Sequence, residues 1–318
     1  MKKKFKIGII GFGNIGKKRF LSILKIKNYT IEIVYIVDKA LKKDKILKSI
    51  DFFKNWEKVK SIDVDLVIVA TPTKISEKIV KEFSGKFNLL VEKPITTKLT
   101  LMSHIVNNAN KNKLLLKTGY NLRFDDGLQV AKNIMNKNKI GKIYYCKITY
   151  ANGTTKTNSN QVGSLLDMGS HSLNLLEWFF ENSKITPSYN VFQSNEFMNK
   201  SKVDNGFVFL KINKIICMMH HGFCTWKNKF NLEISGSKGY ISVNSLSKWG
   251  DQKVTLGVRK YPSGIPLIKK WSFSYDNSWK NELLFVIKKI VSSSFDYTSV
   301  NKEGYNTLKL IKKLTNGL

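Results

Sequence analysis

The stretch FKIGIIGFGNIG, residues 5–16, decides the fold of this chain. It begins with a short apolar run that is typical of a buried β-strand. Three glycines follow at Gly11, Gly13 and Gly16 in the spacing G-x-G-x-x-G, and a basic amphipathic segment with helical spacing continues to about Lys25. A strand, a glycine-rich turn and a helix in this order predict the opening of a βαβ unit.

Each part of this turn suits the binding of a phosphate. Gly11 permits a tight turn, Gly13 lets backbone N–H groups approach a pyrophosphate, and Gly16 lets the helix pack closely on the strand. The helix opens with Asn14 and Ile15, and a helix N-terminus carries partial positive charge. The turn is therefore predicted to bind the phosphates of a dinucleotide.

Asp38 indicates which dinucleotide is preferred. It ends the second β-branched run, 31–37, where a carboxylate accepts hydrogen bonds from the adenosine ribose hydroxyls and repels a 2′-phosphate. The sequence thus favours NAD. Lys39, Lys42 and Lys43 follow at once, and one of them could neutralise that phosphate, so NADP stays an alternative.

The remaining pattern predicts an α/β chain with two domains. Residues 1–119 alternate strands and helices, which is typical of a Rossmann doubly wound parallel sheet. Residues 120–318 predict an α+β domain for substrate binding and oligomerisation, in which close successive strands favour a large, mostly antiparallel sheet. Two closing helices, 279–291 and 303–314, could pack back on the first domain. The expected strands are 5–10, 31–37, 66–70, 88–91, 114–117, 143–150, 204–212, 215–223, 230–235, 240–243, 254–258 and 268–275, and the other expected helices are 75–83, 100–110, 126–138 and 164–180.

Composition excludes several classes of protein. The formal charge is +31, but only Arg19, Arg123 and Arg259 are arginines, and specific nucleic-acid recognition favours the guanidinium fork. The three scattered cysteines predict neither a disulfide framework nor a metal site. No apolar run is long enough for a membrane helix, and the first apolar run lacks a signal-peptide cleavage site. A cytoplasmic location is expected.

Two further segments lie at predicted strand ends, Thr71-Pro72 and Glu92-Lys93-Pro94. Open α/β sheets bind ligands at the carboxyl ends of their strands. A lysine there can polarise a substrate oxygen or transfer its proton. A solvated side chain is the other interpretation of Lys93 in a chain so rich in lysine.

Asp167 and His171 lie four residues apart in the expected helix 164–180. This spacing places them one turn apart on one face. An imidazole can take a hydroxyl proton, and a carboxylate one turn away can orient it. The alternative is a packed histidine with a helical carboxylate neighbour.

These motifs occur together in a fixed order. The glycine-rich turn, the Glu-Lys-Pro segment, GYNLRF at 119–124, the Asp167-x-x-x-His171 pair and LEISGSKG at 232–239 follow one another along the chain. The set resembles the Gfo/Idh/MocA family of NAD(P)-dependent oxidoreductases, and the resemblance covers nearly the whole chain.

The resemblance implies roles for particular residues. Lys93 and Asp167 would be catalytic, with His171 as the acid/base. Members often carry an aspartate three residues beyond that histidine, where this chain has Asn174; Asn174 and Arg123 would contact the substrate. The implied cofactor-binding residues are Thr71, Pro72, Glu92 and Asn121, in addition to Gly11, Gly13, Asn14, Ile15, Gly16 and Asp38.

The leading hypothesis is an oxidoreductase for a sugar, a polyol or a nucleotide-linked sugar. The alternatives are a non-catalytic NAD-binding regulator and a glycosidase-type member of the family in which NAD is regenerated. Strands 207–212 and 215–223 are apolar at both parities, so we expect the second sheet to be buried on both faces. This predicts a homodimer or homotetramer through that sheet.

Overall fold

The structure is a computed structural model that describes residues 4–40, 50–153, 163–194, 203–292 and 296–315. The chain forms two compact units, and neither is continuous in sequence. The first unit contains Met1–Tyr120 and Trp279–Asn306, and the second contains Asn121–Ser278 and Thr307–Leu318. Lys42, Lys43 and most of the segment 151–161 fall outside the described ranges.

The first unit is built around one parallel sheet, and helices connect several of its strands. The strands are β1 (Phe5–Ile10), β2 (Ile31–Val37), β3 (Asp51–Phe53), β4 (Leu66–Val69), β5 (Leu89–Val91) and β6 (Leu116–Thr118), and the helices between them are α1 (Asn14–Leu24), α2 (Thr73–Phe83) and α3 (Leu99–Lys111). All pairings are parallel, in the order β3-β2-β1-β4-β5-β6. The strand order reverses between β1 and β4, where doubly wound sheets bind their ligands.

Burial explains why these segments adopt this fold. The strands β4 and β5 are buried at every position, as expected for a parallel sheet covered on both faces. The helix α2 buries Ser76, Ile79, Val80 and Phe83, which have the i, i+3, i+4, i+7 spacing of one helix face. The predicted Rossmann sheet is confirmed.

The second unit contains a larger mixed sheet. Its elements are α4 (Asp126–Asn136), β7 (Ile143–Ala151), α5 (Ser170–Phe179), β8 (Ile185–Ser194), β9 (Asn205–Ile212), β10 (Ile215–Gly222), β11 (Lys229–Gly236), β12 (Gly239–Asn244), β13 (Gln252–Val258) and β14 (Leu267–Phe273). The strand order is β14-β13-β12-β11-β7-β10-β9-β8. Only β7 and β10 pair in parallel among these strands, so the prediction of a mostly antiparallel sheet is confirmed.

One face of this sheet is covered by helices of the same unit. The core contains Val208 and Leu210 of β9 together with Leu128 of α4 and Leu173 of α5. The opposite face is not covered within the described chain, because Phe207 is 38% exposed and Ile216 is 60% exposed. Burial of both faces was expected, and the described residues of one chain provide it for one face only.

The last two helices are α6 (Ser278–Val291) and α7 (Thr298–Thr315). Leu283, Val286 and Ile287 of α6 are fully buried in the core of the first unit. The C-terminal turns of α7 place Ile311 and Leu314 in the core of the second unit. The chain therefore completes both units near its end.

Sequence patterns missed two edge strands and one helical irregularity. The strand β3 has three residues, and β8 has a register shift after Pro187, so both lack a long alternating pattern. The helix expected over 164–180 instead begins with a π-helical turn, Leu165–Gly169, and continues as α5. Such turns are a local backbone choice that hydrophobic periodicity does not reveal.

Candidate functional site

The glycine-rich turn connects β1 to α1 in a conformation that requires glycine. Gly11 has a φ of +93°, in the left-handed region, and its N–H donates to the carbonyl of Val37 at 2.8 Å. A side chain at Gly11 would collide with the backbone of Ala70, and one at Gly16 would collide with the carbonyl of Gly11. By contrast, the position of a Cβ at Gly13 meets no atom within 4 Å. Gly11 and Gly16 thus serve the packing of the turn, and Gly13 faces open space.

Asp38 holds this turn in place. Its Oδ2 accepts from the N–H of Phe12 at 2.6 Å, and its Oδ1 accepts from the N–H of Ala40 at 2.9 Å. Each carboxylate oxygen can accept more than one hydrogen bond. Asp38 can therefore fix the backbone of the turn and still accept from a ribose hydroxyl.

A cavity of about 590 Å³ lies beside the turn, at the carboxyl ends of β1 and β4. Five predicted cofactor-binding residues line it, together with the aromatic ring of Trp56 and three lysines. The five are Gly11, Gly13, Asp38, Thr71 and Pro72, and the lysines are Lys39, Lys54 and Lys78. Thr71 is held by Ser76, whose hydroxyl donates to the Thr71 carbonyl at 2.9 Å.

The residues present fit a dinucleotide. Asn14 and Ile15 are exposed in the first turn of α1, where backbone N–H groups lack partners within the helix. No side chain caps these N–H groups, and Gly13 leaves the space in front of them open. A pyrophosphate would find N–H donors and the positive end of the helix there. The acidic Asp38 and the ring of Trp56 line the space in which an adenosine would lie.

Glu92 does not line this cavity. Its side chain is 14% exposed and pairs with the fully buried guanidinium of Arg19, whose Nε donates to Glu92 Oε1 at 2.7 Å. Arg19 also donates from Nη1 to Glu282 Oε2 of α6 at 2.7 Å. Glu92 immediately precedes Lys93, and Lys93-Pro94 is a cis peptide. The ion pair thus fixes the strand end from which Lys93 extends.

No motif along the chain predicts this cluster of charges. Lys117 of β6 donates to Glu303 at 2.8 Å and lies 3.5 Å from Glu282. Trp279 packs against the guanidinium of Arg19, with 4.5 Å from Cζ to its ring centroid. The charges are brought together only by the return of α6 and α7, so spacing along the chain could not reveal them.

In the second unit, Asp167 and His171 lie on consecutive helical segments. Asp167 belongs to the π-helical turn and His171 to the first turn of α5. His171 is 7% exposed, and its ring meets the edge of the Tyr150 ring at a centroid distance of 5.6 Å. π-Helical turns occur frequently at functional sites, and this one carries the predicted catalytic carboxylate.

A buried histidine from the sheet supports this turn. His221 of β10 is fully buried, and its Nδ1 lies 2.8 Å from the hydroxyl of Ser164, which precedes the π-helical turn. The Cβ position of Gly169 would lie 3.5 Å from the His221 ring. Burial lowers the pKa of His221 to about 3. The imidazole is therefore neutral and acts as a packing and hydrogen-bonding group.

Arg123 and Asn174 form a pair within the second unit. Arg123 donates from Nε to Asn174 Oδ1 at 2.6 Å, and the Asn174 amide nitrogen donates to Thr307 at 3.1 Å. Asn174 is 1% exposed. Both of its polar atoms bond inside the protein, and a substrate contact by Asn174 stays a prediction. Its side chain holds the guanidinium of Arg123.

Asn121 is likewise buried, and its amide donates to the hydroxyl of Ser278 at 2.8 Å. Ser278 in turn donates to Asp276 at 2.6 Å. These bonds hold Asn121 in place, and cofactor contact by Asn121 stays a prediction.

Sequence reasoning assigned no catalytic or binding role to Lys248, which contacts a neighbour of His171. Lys248 donates to the hydroxyl of Tyr150 at 2.8 Å, and Tyr150 is the residue whose ring meets His171. The polar turn after β12 carries Lys248, but its sequence does not indicate the contact with Tyr150. A pairing of residues 98 positions apart leaves no local pattern.

Within the described ranges, no group of three or more His, Cys, Asp or Glu side chains could hold a metal ion. In the same part of the chain, no helix combines the length and the apolar character that crossing a membrane requires.

Comparison with protein families gives matches to both halves of the chain. A model described as an oxidoreductase family with an NAD-binding Rossmann fold matches residues 5–120. A second model, described as the GFO/IDH/MocA C-terminal domain, matches residues 128–242. The two matches follow each other in the order found in the structure.

Individual relatives are distant. Myo-inositol 2-dehydrogenase of Thermotoga maritima is 22% identical over 90% of this chain and 88% of that protein. Glucose-6-phosphate 3-dehydrogenase of Bacillus subtilis is 26% identical over 58% of this chain and 56% of that protein. The chain spans between 39% and 57% of the length of several curated relatives that it matches.

The fold is shared with solved structures over its whole length. A 3-ketoreductase from Actinomadura kijaniata in complex with NADP and TDP-benzene superimposes with a TM-score of 0.82. The superposition covers 99% of this chain and 98% of that one at 15% sequence identity.

The neutral His221 predicts a pH-dependent stability. Its pKa in the folded protein is about 3, whereas an unfolded histidine titrates near 6.5. Between these values only the unfolded chain binds the proton, so stability is lost as the pH falls below about 6.5. From pH 7 to pH 5 the loss is about 2 kcal/mol at roughly 1.4 kcal/mol per pH unit.

Urea denaturation of the unmutated protein and His221→Asn at both pH values measures this loss. The variant should lose about 2 kcal/mol less on acidification, because asparagine does not titrate. Replacement of the exposed His104 by asparagine is the control and should leave the pH dependence unchanged. Equal acid sensitivity in His221→Asn and the unmutated protein would show that His221 is protonated in the folded state.

Proposed function

We propose that this chain, which belongs to the Gfo/Idh/MocA family of oxidoreductases, is an NAD(P)-dependent enzyme that oxidises a hydroxyl carbon or reduces a keto carbon of a sugar, a polyol or a nucleotide-linked sugar. The observation that carries the proposal is the cavity formed by the glycine-rich turn and Asp38 at the carboxyl ends of β1 and β4. The relative named for myo-inositol and the one named for glucose 6-phosphate support a polyhydroxylated substrate.

The protein residues would manage the proton and the charge of the reaction. A bound nicotinamide cofactor would accept or supply the hydride. His171 would take the proton from the substrate hydroxyl, and Asp167 would keep its imidazole in the productive tautomer. Lys93 would stabilise the negative charge that develops on the substrate oxygen.

Structural support for these roles comes from the surroundings of each residue. The Arg19–Glu92 pair immobilises the backbone before Lys93, and a fixed lysine can stabilise charge without reorganising. His171 packs against Tyr150 at the start of α5, so its ring orientation is restricted. A preorganised site requires that Lys93 and His171 be held in fixed positions.

The test of the function is a screen of sugars, polyols and nucleotide sugars for NADH or NADPH absorbance. With an active substrate, His171→Ala should lower kcat roughly 10²–10⁴-fold, the usual contribution of a positioned general base. It should also remove the acidic limb of the pH–rate profile for oxidation, because protonation of the imidazole stops the reaction there. Lys93→Ala should lower kcat by a comparable factor.

Cofactor affinity should survive both substitutions, since the proposed pyrophosphate contacts are backbone groups. The exposed His104 and Lys111 provide control alanine variants with normal kcat. Near-normal turnover and an unchanged pH profile in His171→Ala would contradict the assignment of the base. Cofactor binding without turnover of any substrate would instead indicate a non-catalytic regulator, and glycoside cleavage that needs NAD but yields no NADH would indicate a glycosidase.

NAD is proposed as the preferred cofactor because Asp38 carries its charge into the cavity. Calorimetry should show tighter binding of NAD than of NADP, and Asp38→Ala should narrow the difference. Asp38→Asn separates charge from hydrogen bonding, since the amide oxygen can still accept from Phe12. Asp38→Asn should also narrow the difference between the affinities for NAD and NADP. It should lose less affinity for both cofactors than Asp38→Ala does. Tighter NADP binding by the unmutated protein would overturn the preference and point to Lys39, Lys54 or Lys78 as phosphate ligands.

We also propose that a second copy of the chain covers the exposed face of the eight-stranded sheet. Phe207 and Ile216 are large apolar side chains on that face, and exposed apolar surface favours association. Light scattering at micromolar concentration should give a dimer or tetramer mass. Ile216→Glu should lower that mass, whereas Leu21→Glu, at a 54% exposed residue of α1, should not. A monomer mass for the unmutated protein would contradict the proposal.

A further inference from the structure

The turn that carries Lys248 is firmly attached to the second unit. Ser247 donates from Oγ to Asp125 Oδ2 at 2.6 Å, and Gln252 donates to Asp125 Oδ1 at 2.7 Å. Asp125 is 2% exposed and caps the N-terminus of α4 through the N–H of Leu128. These buried hydrogen bonds fix the backbone on both sides of Lys248.

The side chain of Lys248 lies over the rings of Trp249 and Tyr150. Its Nζ lies 4.8 Å from the ring centroid of Trp249 and 5.3 Å from that of Tyr150. The ammonium donates to the Tyr150 hydroxyl at 2.8 Å. Tyr150 itself is 3% exposed and touches the His171 ring. A tyrosine thus links the lysine to the proposed catalytic base.

The ammonium lacks a direct counterion. Lys248 is exposed as a residue, but its Nζ lies against two aromatic rings. Within the described residues no carboxylate lies within 4 Å of its Nζ, although Asp276, Asp167 and Asp125 act on it from further away. An ammonium has three N–H donors, and the Tyr150 hydroxyl takes one. Surrounding atoms remove water from the group and lower its pKa, with the three carboxylates opposing this shift.

An anion is the ligand that this arrangement suits. Removing water from a charge is costly unless an opposite charge or hydrogen bonds replace it. The aromatic rings and the neutral hydroxyl satisfy the ammonium only in part. A phosphate or carboxylate can accept charge-assisted hydrogen bonds from the other two N–H groups.

We propose that Lys248 is a substrate-binding residue that recognises an anionic group, a phosphate or a carboxylate, on the sugar substrate. Tyr150, which packs against His171, would hold its ammonium in position. The inference rests on the proposed function and narrows its substrate class to anionic sugars. Tyr150 is a positioning residue in this scheme, since its hydroxyl bonds to the lysine.

Direct binding tests the inference independently of turnover. Calorimetry with glucose 6-phosphate, glucuronate, UDP-glucose and neutral glucose, each with NADH present, compares anionic probes with a neutral one. At least one anionic probe should bind at least ten-fold more tightly than glucose, because a hydrogen bond to a charged group contributes more than a neutral one. The probe that gains the affinity distinguishes a monophosphate, a carboxylate and a diphosphate as the recognised group.

Lys248→Met should reduce the affinity for that probe about ten-fold or more and leave the affinity for glucose unchanged. The exposed Lys253 of β13 offers a control, and Lys253→Met should bind the probe normally. Tyr150→Phe should produce a smaller loss, because the lysine remains but is less well oriented. With a turned-over anionic substrate, the effect of Lys248→Met should appear in KM and leave the pH profile of kcat unchanged.

Equal binding of glucose and the anionic probes, no binding of any anionic probe, or unchanged affinity in Lys248→Met would each overturn the inference. So would a fall in kcat with an unchanged KM, which would make Lys248 part of the chemistry. A different result would contradict the proposed oxidoreductase function alone. In that case an anionic probe would bind through Lys248 but would never be oxidised or reduced.

Discussion

The buried guanidinium of Arg19 sets the arrangement of the first unit. A charge that is fully removed from water must be paired, since leaving it alone costs several kcal/mol. Its partners, Glu92 and Glu282, come from the end of β5 and from α6, so α1, the sheet and the returning helix have to meet around it. The same pairing fixes the strand end that precedes Lys93. Packing and the geometry of the proposed site therefore depend on one buried charge.

Local motifs made most of the first unit predictable. The roles of Gly11 and Asp38 follow from residues within one βαβ unit, and such short-range patterns have few structural solutions. Arg19 and Glu282 are 263 positions apart, and no pattern along the chain connects them. The short β3 was missed for a related reason, because three residues are too few to show a period.

The second unit shows the same limit more strongly. Periodicity located its helices and most of its strands, yet it did not reveal the π-helical turn, whose preceding residue Ser164 bonds to His221 of β10. Lys248 meets Tyr150 across 98 residues. Asn174 was expected to face a ligand because relatives carry aspartate there. Its bonds to Arg123 and Thr307 join residues 51 and 133 positions away, which the spacing from His171 does not reveal.

The divided construction of the two units has a consequence for biosynthesis. The first unit needs Trp279–Asn306 and the second needs Thr307–Leu318, so neither can be completed until these residues have left the ribosome. Domains that are continuous in sequence can fold one after another during synthesis. In this chain the strands of both sheets precede the two helices that complete the units, and late contacts between distant segments slow folding. Its abundant positive charge would help to keep the nascent chain soluble during that interval.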